Sequence, residues 1–120
     1  MSIICQYCHE EAELVGGKTI YPHRFDLHHK AFWRCEPCGA YVGCHPGTQK
    51  PLGILADEIL RRWKSKTHAA FDPIWRGNRE MSRKQAYSWL ASELKIHKSQ
   101  CHIGMFNIDM CKRVINLCVK

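Results

Sequence analysis

No long hydrophobic run occurs in this sequence. No stretch approaches the roughly 18 uninterrupted apolar residues that a membrane-spanning helix needs, and the N-terminus lacks a basic region followed by an apolar segment. Nothing therefore marks the chain for a membrane or for export, and a cytoplasmic location is expected. Internal repeats, coiled-coil heptads and low-complexity linkers are also missing. So are the usual catalytic signatures: a phosphate-cradling glycine loop, H-E-x-x-H, G-x-S-x-G, and the His-x-Glu with Pro-Cys-x-x-Cys of zinc deaminases. The residues do not announce an enzyme.

Cysteine, by contrast, is abundant, with eight in 120 residues. In a reducing compartment such cysteines bind metal or lie reduced in the core, whereas in a short secreted chain they would form a disulfide framework. Cys5-Gln6-Tyr7-Cys8 and Cys35-Glu36-Pro37-Cys38 are two C-x-x-C knuckles separated by twenty-six residues. Zinc takes four soft or borderline ligands in a tetrahedron, and a two-residue spacer lets both thiolates of a knuckle reach one ion. One structural Zn2+ held by Cys5, Cys8, Cys35 and Cys38 is therefore expected, with no open coordination position. Cys5 to His9 also spells C-x-x-C-H, the attachment sequence of a c-type haem, but that reading leaves Cys35 and Cys38 unexplained. A thioredoxin-like pair at Cys35 and Cys38 would open a helix, and Gly39-Ala40-Tyr41 argues against one.

A chain of this length has room for one compact domain, or for a metal-stapled module and a helical extension sharing a modest core. The expected class is α+β: a zinc ribbon over residues 1–53, packed with about three helices over residues 54–120. In the ribbon, Leu14-Val15, Gly16-Gly17 and Thr19-Ile20-Tyr21 suggest a hairpin, while Ala31-Phe32-Trp33 and Tyr41-Val42 read as strands flanking the second knuckle. After Pro51-Leu52-Gly53 the spacing turns helical. Leu55, Ile59, Trp63 and Ala70 are expected on one inward face, until Asp72-Pro73 stops the helix. A second helix should start at Ser82, capped with Gln85, and turn Ala86, Trp89, Leu90 and Leu94 inward. A third should run from Asn107 as N-cap through Cys111, Val114, Ile115 and Cys118.

Other soft ligands lack knuckle spacing. Cys44, His45, His68, Cys101 and His102 form the candidate second cluster, since Cys44-His45 and Cys101-His102 are paired soft-ligand dipeptides beside glycine-containing turns. Cys111 and Cys118 lie on an apolar stripe and read as small buried hydrophobes. His23, His28 and His29 read as solvated loop residues.

The net charge of +7 is unevenly spread. Residues 1–54 hold five Lys or Arg against five Asp or Glu, so the remaining 66 residues, with thirteen against six, carry the whole excess. Arg61, Arg62, Lys64 and Lys66, then Arg76, Arg79, Arg83 and Lys84, are the candidate phosphate contacts, and Trp75 is a candidate stacking face. Asp57 to Arg61 and Glu58 to Arg62 have the acid-before-base spacing of exposed helix pairs, which would use some of that charge internally.

Several segments carry a resemblance: Cys5-x-x-Cys8, Phe32-Trp33-x-Cys35-x-x-Cys38-Gly39-Ala40-Tyr41-Val42-Gly43-Cys44-His45-Pro46-Gly47-Thr48, Phe71-Asp72-Pro73-Ile74-Trp75, Arg83-x-x-Ala86-Tyr87-x-Trp89-Leu90 and Cys101-His102-Ile103-Gly104. Together they resemble a family of short zinc-finger-containing proteins from bacteriophages and prophages, over nearly the whole chain. The resemblance implies a zinc site and the cytoplasm of a bacterial host, and it supplies no activity. Cys35 through Cys44 is also similar to the zinc ribbons of bacterial topoisomerases, whose second knuckle is spaced differently. The leading expectation is nucleic-acid binding, DNA before RNA, through the basic helical surface. A phage-encoded adaptor or inhibitor docking on a host protein is the alternative. A metal-assisted nuclease using His68, Asp72 and His102 is the lesser one.

Overall fold

The computed structural model describes residues 2–77 and 80–118. It divides into two compact units, Met1–Glu58 and Ile59–Lys120. The first contains an antiparallel sheet of β1 (Glu13–Gly16), β2 (Ala31–Cys35) and β3 (Ala40–Gly43), in the order β1-β2-β3. Glu13 stands opposite Arg34 and Gly16 opposite Ala31, while Phe32 pairs with Gly43 and Cys35 with Ala40.

The strand paired with β1 is not the expected Thr19–Tyr21. Gly17 opens a single helical turn, α1 (Gly17–Ile20), and the chain makes a further 3-10 turn before returning as β2. The reason lies at Gly17, whose N–H donates to Lys30 O at 2.7 Å. A Cβ at that position would sit 1.7 Å from Leu27 O, so only glycine permits this close return of the chain. Ala31-Phe32-Trp33 and Tyr41-Val42 form strands as expected.

The second unit is built on α2 (Glu58–Phe71), α3 (Arg83–Leu94) and α4 (Ile108–Cys118). The inward face of α2 differs from the expected one. Leu60, Thr67 and Phe71 are buried, Ile59 is 60% exposed, and Leu55 precedes the helix and packs in the ribbon core. Spacings of seven and four bring Leu60, Thr67 and Phe71 onto one stripe, and a phase taken from Leu55 misses it. Asp72-Pro73 ends the helix in a 3-10 turn, as the proline requires. Ser82 caps α3 with the full reciprocal box, Gln85 N–H to Ser82 Oγ at 3.1 Å and Ser82 N–H to Gln85 Oε1 at 2.9 Å. Ala86, Leu90 and Leu94 are buried as expected, while Trp89 is half-buried. At the far end Lys95 is left-handed, and Ile96 N–H reaches back to Ala91 O at 3.0 Å. Asn107 caps α4 by accepting Met110 N–H at 2.9 Å, and Cys111 and Val114 are fully buried. Among the described residues no helix is long and apolar enough to cross a membrane.

Candidate metal centre

Each knuckle sits at the tip of a hairpin. The first lies between Ile4 and Glu11, which bridge antiparallel, and the second joins β2 to β3. The residue after the second cysteine is left-handed in both, His9 with φ 65° and Gly39 with φ 65°. That shared conformation turns the chain sharply enough for Cys5 O to accept His9 N–H at 2.8 Å and for Glu36 O to accept Gly39 N–H at 3.1 Å. Two like turns thus face one another and bring four sulfurs together.

The sulfur atoms of Cys5, Cys8, Cys35 and Cys38 all lie within 4.8 Å of one another. Cys8 Sγ and Cys35 Sγ are 3.6 Å apart, and none of the four is in a disulfide. Sulfurs placed about 2.3 Å from a central zinc at tetrahedral angles would stand roughly 3.8 Å apart, so the spacing fits one such ion. Cys5 and Cys35 are buried, and Ala12, Trp33, Ala40 and Leu55 complete the surrounding core. A dry shell of this kind keeps water off a structural site.

The electrostatics of the cluster also suit a cation. Burial pushes the Cys5 thiol up, but the backbone N–H groups of Cys8 and Tyr7, with the sulfurs of Cys35 and Cys38, bring it below its ordinary value. The Cys38 N–H draws Cys35 down, yet burial and the sulfurs of Cys8 and Cys5 together leave it raised. Hydrogen bonding to Cys8, followed by burial and the other two sulfurs, pushes Cys38 up to about 12. Neighbouring thiolates therefore cannot coexist there unaided, and a dication at the centre removes the obstacle.

Two spacer residues of the first knuckle do structural work that sequence reasoning missed. The Gln6 side-chain amide donates to Leu55 O, and Asp57 N–H donates to Tyr7 Oη at 3.3 Å. They tie the knuckle to the segment leading into α2. No local signal marks this, because both partners are backbone groups some fifty residues away.

Elsewhere the predicted site residues are divided between the two units. Among the described residues the four-cysteine group is the one close cluster of three or more metal-ligating side chains, and it includes none of Cys44, His45, His68, Cys101 and His102. Cys44 and His45 follow β3 at the start of the next loop in the ribbon unit. In the helical unit the buried Cys101 thiol donates to Tyr87 O at 3.6 Å, and burial raises its pKa. His68 Nδ1 lies 3.4 Å from Asp72 Oδ1, and the His102 ring tilts against Tyr87 at 6.3 Å.

Of the basic residues, Lys64 is committed inward: its ammonium donates to Gly104 O at 2.7 Å, and burial lowers its pKa. Arg61 and Arg62 stand on α2 with interactions of their own. Arg79 lies outside the described residues. Arg76 and Arg83 converge on aromatic rings. Their guanidiniums lie 5.5 and 5.9 Å from the Trp75 ring centre, and Arg83 also covers Tyr87 at 4.9 Å. Lys84 is exposed on the first turn of α3.

No curated protein and no solved structure matches the chain. With two left-handed knuckle turns gathering four sulfurs at the hairpin tips, the chain belongs to the zinc-finger-containing domain family, whose model matches residues 1–120.

Proposed function

We propose that this zinc-finger protein binds nucleic acid, DNA before RNA, through the basic surface of its helical unit, and that it acts in the cytoplasm of a bacterium carrying a phage or prophage. The observation that carries the reading is the clustering of Arg76 and Arg83 around Trp75 and Tyr87. A guanidinium stacked on a ring keeps its N–H edge free for phosphate and loses little side-chain freedom on binding. Arg76 is 71% exposed, although its 3.6 Å contact with Asp72 offsets part of its charge. Lys84 extends the patch, whereas Lys64 drops out of the contact set because its ammonium is already used. The ribbon's metal fixes the fold and takes no part in chemistry.

The test is a salt titration of the zinc-loaded chain against single- and double-stranded DNA and RNA. Wild type should bind with affinity falling steeply as salt rises. The double variant R76A/R83A should lose about tenfold or more in affinity and lower the salt slope by about 2. Absence of wild-type binding even at low salt would overturn the reading. Capture of a host protein that survives nuclease treatment would then favour the adaptor or inhibitor, for which a surface rich in Trp, Tyr and Arg is equally suited.

A further inference from the structure

Residues 1–54 are neutral by count but not in space. Four of their five acids gather at one cleft, where Glu10, Glu11, Glu13 and Glu36 surround Arg34. The remaining acid, Asp26, is paired with Arg24 at 2.8 Å. Where β2 begins and β3 ends, two cavities of about 610 and about 310 Å³ adjoin across Lys30, Ala31, Cys44 and Leu52, which line both, as two lobes of a groove. Among the described residues no acidic side chain lines it. Its cationic side chains and imidazoles are those of Arg24, His29, Lys30 and His45.

The floor of the groove is apolar and narrow at one point. Phe32 and Leu52 flank Gly43, where a Cβ would meet Phe32 Cε1 at 3.5 Å and Leu52 Cδ1 at 3.6 Å, so a large side chain would occupy the groove. Leu52 is 51% exposed, an apolar surface left open in the middle of it. At one end stands Tyr21, held edge-on to Phe32 at 5.8 Å, with its hydroxyl 2.7 Å from that of Tyr41.

The opposite wall is built in advance of any ligand. Cys44 bridges to Pro51, His45 N–H donates to Lys50 O at 2.9 Å, and Thr48 Oγ1 donates to His45 O at 2.9 Å. The Trp33 indole N–H donates to Gln49 O at 2.7 Å. Trp33 packs among the zinc-site cysteines, so the metal centre braces this wall.

From this arrangement we infer that the groove binds a nucleoside monophosphate, with the phosphate at Lys30 and the imidazoles of His29 and His45, and the base over Leu52 towards Tyr21. The volume lies within the roughly 300–1,000 Å³ range of small-molecule sites. A phosphate beside an ammonium and two imidazoles gains charge-assisted hydrogen bonds, while a flat base covers the exposed leucine. The nucleotide could be free or be the 5′-phosphorylated end of a strand, since both present the same chemistry.

Calorimetric titration of the zinc-loaded full chain with adenosine 5′-monophosphate, adenosine and inorganic phosphate tests the assignment. The monophosphate should bind at least about tenfold tighter than either fragment and shift the Trp33 indole resonance. K30E should weaken it about tenfold, whereas K18E, which makes the same change in charge outside the groove, should change it less than about twofold. G43L should abolish binding while zinc content stays at one per chain, and K30E decides the matter if G43L does not fold. A 5′-phosphorylated oligonucleotide that binds more tightly than the monophosphate, and loses that advantage on dephosphorylation, identifies a strand end as the source. Equal affinities identify the free nucleotide. Binding of the monophosphate no tighter than that of inorganic phosphate, or equal losses in K30E and K18E, would overturn the proposal.

Discussion

The two units of this chain are nearly equal in length but are held together differently. The ribbon core comprises Cys5, Ala12, Trp33, Cys35, Ala40 and Leu55, and two of those six side chains belong to the four-cysteine site. In the helical unit the fully buried large side chains include Phe71, Leu90, Ile103 and Val114, none of them a ligand of the four-cysteine site. Fewer than sixty residues with one tryptophan and one leucine at the centre bury too little apolar surface to offset chain entropy. A zinc ion held by the four cysteines would supply the difference in the ribbon, whereas helix stripes and caps supply it in the other unit.

The largest expected effect breaks that contrast at its source. Cys5→Ser removes a buried ligand, and structural zinc contributes on the order of 10 kcal/mol to such a site. The ribbon should unfold with loss of bound zinc and of the Trp33 indole resonance, while the far-UV helix signal of the full chain largely persists. Loss of both signals together would show that one cooperative unit exists and the contrast fails. Zinc affinity should also fall as pH is lowered, because only thiolates bind. Cys35 and Cys38 are both raised, so at least two protons must leave near neutrality, and the affinity should drop at least about a hundredfold per pH unit. Without metal the sign reverses: thiols whose pKa rises on folding favour the fold while protonated, and that contribution fades as pH climbs from their ordinary value towards about 12.

Phe71→Ala is the corresponding blow to the helical unit. Phe71 is fully buried and meets Tyr87 edge-on at 4.8 Å. Truncation should cost about 3–5 kcal/mol in denaturant unfolding followed by the helix signal, with zinc stoichiometry unchanged. A fall in zinc content would mean that the ribbon depends on the helical core. Ser82→Ala should cost about 1 kcal/mol by the same measurement, since it removes the oxygen that accepts Gln85 N–H.

Those caps were legible in the sequence because a cap is a local object: Ser82 with Gln85, and Asn107 before an apolar stripe, carry their partners within three residues. The knuckles were legible for the same reason, as their spacing is itself the ligand geometry. What could not be read was non-local. The partner of β1 lies beyond a detour that depends on Leu27 O approaching Gly17, and the phase of α2 depends on Leu55 belonging to the other core. Charge behaved likewise, since a balanced count over residues 1–54 concealed an acidic cleft and a groove with no acid among its described lining residues.

The smallest effect sharpens the comparison within the ribbon, between its two knuckles. His9 and Gly39 occupy equivalent left-handed positions, but only one of them is the residue that tolerates φ of 65° without penalty. At Gly39 an added Cβ would meet nothing within 4 Å, so Gly39→Ala sets backbone strain against the freedom lost from the unfolded chain and should cost about 1 kcal/mol. His9→Gly relieves the same strain, less the extra freedom glycine gives the unfolded chain, and should stabilise by about 0.5 kcal/mol. Zinc-dependent thermal unfolding measures both, and shifts of opposite sign are expected. If His9→Gly destabilises instead, the imidazole contributes an interaction that outweighs its strain, and the two knuckles are not equivalent in energy despite their common geometry.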